Sequence, residues 1–211
     1  MKKPSIKEAK LYVIVDRAAL KGRSPAEVAA AAMRGGADVI QWRDKEDSDL
    51  DFLEVARRLR ELAREQGVLF IVNDRVAVAM LCKADGVHLG HEDLPVPEVR
   101  ALVGRSMLIG RSTHSLQEAL EAEKAGADYI GVGPVFSTPT KPGYPAVGLD
   151  LVRQIGPRIR IPWMAIGGID LENAGLVSSA GAVRVAVVRA VAAASDPEAA
   201  ARALKGKLSS S

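Results

Sequence analysis

A run of residues that could bind an anion follows the second apolar segment of the chain, at positions 41–45 (QWRDK). Because side chains alternate along a strand, Gln41, Arg43 and Lys45 would share one face and Trp42 the opposite face. Two cations and an amide on one face predict a site for a phosphorylated ligand. A surface salt-bridge cluster is the alternative, because several acidic residues lie close by in the sequence.

Carboxylates that could bind a metal follow the third and fourth apolar segments. Asn73-Asp74 ends one of them and Glu92-Asp93 follows the other. Magnesium takes one or two protein carboxylates and completes its shell with water and phosphate oxygens. Asp74 with either Glu92 or Asp93 therefore predicts a Mg²⁺ site opposite the cations. The alternative for Asn73 and Asp74 is a helix N-cap, for which both residue types are favoured.

Glycine and hydroxyl residues that could cradle a phosphate follow the last three apolar segments. Residues 126–143 (GADYIGVGPVFSTPTKPG) carry threonines and a lysine beyond a short strand, although an ordinary loop would look similar. In many α/β barrels the loops after the seventh and eighth strands bind phosphate through backbone N–H groups. Gly167-Gly168 and Val188-Arg189 follow these two strands. The pattern predicts a second anion site, with a plain tight turn as the alternative for the two glycines.

The segment after the fifth strand carries Ser112, Thr113 and His114. Either hydroxyl could donate to a ligand or cap the following helix. His114 could act as a general base, although a lone histidine at a helix start is usually structural. His88, inside the fourth apolar segment, is predicted to be a hydrogen-bonded core residue.

Short apolar segments alternate with longer amphipathic ones along the whole chain, which predicts βαβ units and a parallel sheet. The predicted strands are Leu11–Val15, Val39–Trp42, Leu69–Val72, Gly86–Leu89, Met107–Ile109, Tyr129–Val132, Trp163–Ile166 and Val183–Val188. The predicted helices are Pro25–Arg34, Leu50–Gln66, Val76–Cys82, Val96–Leu102, Leu116–Ala125, Leu149–Ile155, Leu171–Ser178 and Pro197–Leu208.

A short motif recurs before every second strand: Gly36-Ala37-Asp38, Ala84-Asp85-Gly86, Gly126-Ala127-Asp128 and Gly181-Ala182. Eight βα units, with this motif repeated before every second strand, favour a closed (β/α)₈ TIM barrel over an open doubly wound sheet. We expect a single domain over residues 1–211, with its core at about 11–208. In such a barrel the ligand site lies at the C-terminal ends of the strands.

Composition limits the classes of function. The chain has 211 residues, of which 48% are hydrophobic and 26% charged, and no apolar run approaches the roughly 18 residues of a membrane span. Its single cysteine, Cys82, predicts a reducing compartment and hence a cytoplasmic protein. A net charge of +3 suits anionic small molecules, whereas 4% aromatic residues give little support for nucleic-acid binding. The oligomeric state stays open, and a homodimer is compatible with the sequence.

Six motifs in order resemble the thiamin phosphate synthase family: QWRDK, VNDR, ADGVHLGHEDLP, IGRSTHSLQEA, GADYIGVGPVFSTPTKPG and IPWMAIGGI. The resemblance runs from about Leu11 to Leu204. It implies a (β/α)₈ barrel that joins hydroxymethylpyrimidine pyrophosphate to hydroxyethylthiazole phosphate, with release of pyrophosphate. It also implies Mg²⁺ as the cofactor.

The resemblance implies roles for particular residues. The pyrimidine pyrophosphate would be bound by Gln41, Arg43, Lys45, Asn73 and Lys141, with Ser112 in contact with the pyrimidine. Mg²⁺ would be bound by Asp74 and Asp93, and the thiazole phosphate by Thr138, Thr140, Gly168, Val188 and Arg189. Of these, Arg43, Lys45, Ser112 and Lys141 would act in catalysis.

The chain departs from the family pattern at three places. His91 stands where the family usually has Gln, and Ala182-Val183-Arg184 stands where Ala-Asp-Gly is usual. Arg189 replaces a usual Ser. If backbone N–H groups bind the phosphate, Arg189 is tolerated or adds a cation, and we prefer this interpretation; if the Ser hydroxyl matters, the thiazole-phosphate site is weakened.

Two other functions compete with a synthase. A thiazole tautomerase on the same barrel would use a histidine near the fifth strand, such as His114, but would not require the motifs at positions 41–45, 73–74 and 93. A non-catalytic phosphate-binding homologue is supported only by the altered eighth strand. Pyrophosphate release from two substrates would identify the synthase.

Overall fold

The computed structural model describes residues 5–139, 143 and 145–209, which form a closed barrel of parallel strands in the order β1-β2-β3-β4-β5-β6-β7-β8. The predicted (β/α)₈ barrel is therefore confirmed. The strands are β1 Leu11–Asp16, β2 Val39–Arg43, β3 Leu69–Asn73, β4 Gly86–Leu89, β5 Leu108–Thr113, β6 Tyr129–Val132, β7 Trp163–Ile166 and β8 Val185–Val187.

Helices cover the outside of the barrel, joined by short loops. They are α1 Pro25–Arg34, α2 Asp49–Gln66, α3 Val76–Leu81, α4 Val96–Val103, α5 Leu116–Lys124, α6 Gly148–Ile155, α7 Ala174–Ser179, α8 Arg189–Ala192 and α9 Pro197–Ser209, with a 3₁₀ turn at Arg17–Ala19. None of the helices in the described part of the chain has the length and apolar character that a membrane span requires.

The alternation of side chains along each strand divides the buried residues into two layers. Tyr12, Ile71 and Tyr129 belong to the cluster inside the barrel. Trp42 and Phe52 belong to the larger cluster between the strands and the helices. Because each strand contributes side chains to both layers, the strand sequences are almost continuous apolar runs.

The lower rim of the barrel, formed by the N-terminal ends of the strands, carries a repeated carboxylate. Asp38 accepts the backbone N–H groups of residues 10 and 11 at 2.7 and 2.9 Å, Asp85 that of residue 70 at 2.9 Å, and Asp128 that of residue 109 at 2.7 Å. Each also pairs with a base from a helix, Lys205, Arg60 or Arg100. At the fourth repeat Val183 takes the place of the aspartate and is exposed.

The structure corrects three predicted boundaries. Strand β5 continues through Ser112 and Thr113, which pair with residues 131 and 132, so both hydroxyls belong to the strand and not to a loop. Strand β8 covers only Val185–Val187 and is followed by the short helix α8, which was not predicted. Helix α7 begins at Ala174, because Asp170 first accepts the N–H groups of residues 172 and 173 in a turn.

Candidate active site

A cavity of about 470 Å³ opens at the upper rim, where the C-terminal ends of the strands meet. Six of the eight strands contribute predicted site residues to its wall, either from the strand end or from the loop that follows. Among the described residues, strands β1 and β4 contribute none of the predicted ones. The predicted residues that line it are Gln41, Arg43, Asn73, Ser112, Thr138, Gly168, Val188 and Arg189. Thr140 and Lys141 were predicted to join them, but they lie outside the described residues.

The predicted alternation along β2 is confirmed. Gln41 and Arg43 face the cavity, whereas Trp42 packs outward against Phe52 with ring centroids 5.5 Å apart. On the outer side the buried carboxylate of Asp44 accepts a hydrogen bond from the Nε of Arg17 at 2.8 Å. A salt-bridge cluster therefore exists beside β2, but it lies on the opposite face from the anion-binding candidates.

The guanidinium of Arg43 is held by Asp16, the last residue of β1, through an ion pair with its Oδ2 atom. Asp16 is buried and also accepts the N–H of Ala18 at 3.0 Å, which fixes the carboxylate in the 3₁₀ turn. The sequence prediction missed Asp16. Its signal was an aspartate directly at the end of an apolar segment, the same signal that identified Asp74.

The metal-binding candidates form one cluster beside the cavity. Lys45 pairs with Asp74, and Asp74 is in hydrogen-bond contact with Asp93. Asp93 accepts the N–H of Gly90 at 2.6 Å, whereas Glu92 is exposed. Of the two candidates, Asp93 is therefore the one that contacts Asp74.

The N-cap interpretation of Asp74 is wrong. The N-cap position of α3 is Arg75, which makes no side-chain capping bond, and Asp74 has a left-handed backbone with φ of 59°. A non-glycine residue in this region is uncommon, and such backbone strain clusters at functional sites. The backbone N–H of Asp74 donates to the carbonyl of His88 at 2.8 Å, which turns the chain over the end of β4.

The two carboxylates differ in acidity. Burial raises the pKa of Asp93, and the adjacent carboxyl of Asp74 raises it further. Burial acts in the same direction on Asp74, but its contacts with Asp93 and with the ammonium group of Lys45 together hold the pKa of Asp74 below its usual value. The two adjacent carboxyl groups share the single positive charge of Lys45, and a divalent cation would supply the remaining counter-charge.

Backbone hydrogen bonds join the loop after β6 to the end of β7, beside Gly167 and Gly168. Val135 donates to the carbonyl of Ile166 at 2.8 Å and Phe136 to that of Gly167 at 3.0 Å. Gly168 has a φ of 64°, and a Cβ atom there would lie 2.7 Å from the carbonyl oxygen of Ser137. This close backbone approach positions Thr138 over the cavity, opposite the residues of β2.

Residues 188 and 189 stand at the start of α8, with Val188 as its N-cap and Arg189 as its first helical residue. The first N–H groups of a helix have no carbonyl partner within the helix and attract anions. The exposed side chain of Arg189 lies on the cavity wall. The prediction that this segment faces the same opening as Gly168 is confirmed.

Two histidines line the cavity. The Nδ1 of His114 donates to the carbonyl of Gly133, and its backbone N–H donates to Glu118 at 2.8 Å. His88 is hydrogen-bonded as expected, but it is half-buried on the cavity wall and contacts Ser112. Sequence reasoning assigned His88 to the core because it lies inside an apolar segment, where an inward side chain is not distinguishable from a packing residue.

The chain resembles known proteins in both sequence and fold. Residues 11–191 match a family model described as thiamine monophosphate synthase. The thiamine-phosphate synthase of Chloroflexus aurantiacus is 50% identical over 201 residues, which are 95% of this chain and 93% of that protein. The thiamine phosphate pyrophosphorylase from Pyrococcus furiosus superposes with a TM-score of 0.89 at 41% identity, covering 97% of this chain and 98% of that chain.

Some relatives are longer. The thiamine-phosphate synthase of Thermosynechococcus vestitus is 50% identical over 183 residues, which are 87% of this chain but 52% of that protein. The chain therefore spans about half the length of some of the curated relatives it matches.

Proposed function

Because the chain belongs to the thiamine monophosphate synthase family, we propose that it joins hydroxymethylpyrimidine pyrophosphate to hydroxyethylthiazole phosphate, giving thiamin phosphate and pyrophosphate. The observation that carries the proposal is the convergence of the ends of β2, β3 and β4. There Gln41, Arg43 and Asn73 line a cavity whose edge holds the cluster of Lys45, Asp74 and Asp93.

The residues present fit a magnesium ion. Asp74 and Asp93 offer oxygen ligands in mutual contact, and the described residues contain no group of three or more His, Cys, Asp or Glu side chains arranged for a metal. Magnesium needs only one or two carboxylates when a substrate phosphate completes its shell. When bound there, Mg²⁺ would neutralise charge on the diphosphate leaving group.

Arg43 and Lys45 would bind the same diphosphate, joined by Lys141 and the amide of Asn73. Arg43 is pre-positioned by its ion pair with Asp16, so little side-chain entropy is lost when a substrate binds. Donors fixed before the reaction stabilise the charge that develops on the leaving oxygen. Gln41 and Ser112 would hold the pyrimidine ring within the cavity.

The bond changes need no protein nucleophile. The C–O bond between the pyrimidine methylene and the diphosphate breaks, and its electron pair leaves with pyrophosphate. The ring amine of the pyrimidine stabilises the resulting cation. The thiazole nitrogen then donates its lone pair to the methylene carbon to form the new C–N bond. Alignment of the two substrates supplies much of the acceleration.

The thiazole phosphate would bind on the opposite side of the cavity. Gly168, Thr138 and Thr140 would contact its oxygens, together with the N–H groups at residues 188 and 189. The backbone approach of Gly168 to Ser137 supports a cradle made mainly of main-chain donors. Arg189 would then add a cation where a hydroxyl is usual in the family.

The alternatives have weaker support. A tautomerase acting through His114 would not need the cluster of Lys45, Asp74 and Asp93, and the Nδ1 of His114 is engaged with Gly133. A carrier without activity would not need two carboxylates held in contact. We further propose that the chain acts in the cytoplasm as one barrel domain, consistent with its single cysteine.

The test is direct. The purified protein is mixed with both phosphorylated heterocycles, with and without Mg²⁺, and thiamin phosphate and pyrophosphate are measured. We expect equal amounts of both products and only with Mg²⁺. Isomerisation of the thiazole alone would indicate the tautomerase, and binding without turnover would indicate the carrier.

A further inference from the structure

A continuous chain of hydrogen bonds runs across the inside of the barrel, below the floor of the cavity. The amide Nε2 of Gln41 donates to the hydroxyl of Tyr12 at 2.7 Å, and the hydroxyls of Tyr12 and Tyr129 are 3.0 Å apart. The hydroxyl of Tyr129 lies 3.2 Å from Nδ1 of His88, and Nε2 of His88 lies 3.0 Å from Oγ of Ser112. The two ends of the chain, Gln41 and Ser112, both line the cavity.

The barrel makes room for this chain at a glycine. A Cβ atom at Gly110 would lie 2.2 Å from Cζ of Tyr129 and 2.5 Å from Nδ1 of His88. Any side chain at this position of β5 would push the two rings away. The rings of His88 and Tyr129 pack with centroids 5.5 Å apart, and those of Tyr12 and Tyr129 with centroids 6.0 Å apart.

The direction of the hydrogen bonds follows from the donor at Gln41. Because the amide of Gln41 donates to the oxygen of Tyr12, the O–H of Tyr12 is left to donate to Tyr129. The O–H of Tyr129 then donates to Nδ1 of His88, so the ring proton is on Nε2 and is donated to Ser112. Burial raises the pKa of both phenols, so both keep the protons that this direction requires.

The consequence is that the two ends of the chain present opposite polarities to the cavity. Oγ of Ser112 accepts from His88, so its own O–H proton is available to a ligand. Gln41 has used an N–H on Tyr12, so its carbonyl oxygen is available as an acceptor. A pyrimidine with an amine that donates and a ring nitrogen that accepts matches this pair.

We propose that His88 is a positioning residue which, as a member of this chain, fixes the hydroxyl of Ser112 as a hydrogen-bond donor to the pyrimidine substrate. The inference rests on the proposed function, because it assumes that an aminopyrimidine occupies the cavity. It assigns to Tyr12 and Tyr129 a role beyond filling the barrel interior, namely to transmit the polarity of the Gln41 amide to His88.

Two substitutions of the same residue separate this role from simple packing. In His88→Gln the amide nitrogen can occupy the place of Nε2 and still donate to Ser112. In His88→Asn the shorter amide can reach only the place of Nδ1, so contact with Tyr129 survives and the donor to Ser112 is lost. Steady-state kinetics with each substrate varied in turn compare the variants.

We expect His88→Asn to raise the KM for the pyrimidine pyrophosphate about tenfold, because one hydrogen bond is lost. The KM for the thiazole phosphate should not change. His88→Gln should restore most of that tenfold loss. Equal kinetics for the two variants, or a parallel rise in both KM values, would overturn the inference. If either variant fails to fold, Tyr129→Phe, which leaves Nδ1 without its donor, is expected to raise the same KM alone, and an unchanged KM would count against the chain.

A second readout needs no activity. Nitrogen NMR of ¹⁵N-histidine protein distinguishes the two ring tautomers, and the chain has three histidines, so His88→Asn assigns the resonance of His88. We expect the Nε2–H tautomer in the unmodified protein and a mixture in Tyr129→Phe. If the enzyme is active and His88 is the Nδ1–H tautomer, the inference is overturned but the proposed function is not. The Nε2–H tautomer in a protein that makes no thiamin phosphate overturns the proposed function and leaves the direction of the chain supported.

Discussion

The two rims of the barrel use the same residue type in opposite ways. On the lower rim Asp38, Asp85 and Asp128 each accept a backbone N–H from the neighbouring strand and pair with a base from a helix. On the upper rim Asp74 and Asp93 are pressed against each other and share one lysine.

The difference separates stability from function. The lower carboxylates are each bound by a backbone N–H and by a base of the fold itself, so they hold strands in register. The upper pair is short of positive charge, which a fold selected only for stability would avoid. We therefore expect substitutions on the two rims to affect different measurements.

The largest expected effect is on the upper rim. Asp74→Asn keeps the size of the side chain and tolerates the left-handed backbone, but it removes the charge that would bind Mg²⁺. We expect kcat/KM to fall about 100-fold, or about 2.7 kcal/mol of transition-state stabilisation, with little change in the free energy of unfolding. Turnover close to that of the unmodified protein would remove Asp74 from the mechanism.

On the lower rim we expect the opposite result, a loss of stability with little change in activity. Asp128→Ala removes the side-chain acceptor of the N–H of Ile109 and the ion-pair partner of Arg100, which keeps only its bonds to backbone carbonyls. We expect the free energy of unfolding to fall by about 2 kcal/mol, with kcat unchanged at a temperature where the variant stays folded. Urea unfolding measures the loss. The matched control is Asp85→Ala, whose base Arg60 is 3.5 Å away, so its loss should be smaller.

A smaller effect is expected at Asp93, because the upper rim should gain stability when it loses function. Burial and the neighbouring carboxyl of Asp74 raise the pKa of Asp93, and Asp93→Asn removes one of these two like charges. Well above that pKa the charged form destabilises the fold, so the neutral variant should be more stable by about 0.5–1 kcal/mol without metal, solvent screening keeping the gain small.

The matched measurement for Asp93→Asn is the melting temperature with and without Mg²⁺. The metal should stabilise the unmodified protein and not the variant. A variant that is less stable without metal would mean that Asp93 has a structural role like that of the lower carboxylates.

The smallest effect concerns the missing repeat on the lower rim. Extending the observed registers of β7 with β8 and of β1 with β2 places Val183 opposite Trp163, as it places Asp38 opposite Leu11, and Val183 is exposed. Val183→Asp should supply an acceptor for the N–H of Trp163 and raise the free energy of unfolding by about 0.5–1 kcal/mol. A loss of stability would show that the eighth strand begins in a geometry different from the other even strands.

The sequence predicted most of the upper rim, because strands and helices alternate so regularly that the ends of the strands could be counted. It could not predict Asp16 as the partner of Arg43 or His88 as a cavity residue. Both depend on which strands are neighbours and which way a side chain points inside the barrel. Helix α8 was missed because its four residues continue an apolar run without a cap signal.

We propose that the ends of separate strands act together, with a metal, to release a diphosphate from carbon. Pyrophosphate and thiamin phosphate are measured while Mg²⁺ is titrated, for the unmodified protein, Asp74→Asn and Asp128→Ala. We expect Mg²⁺-dependent release of both products in equal amounts from the unmodified protein and Asp128→Ala, and about a hundredfold less from Asp74→Asn. Release that is independent of Mg²⁺, or equal in all three proteins, would contradict it.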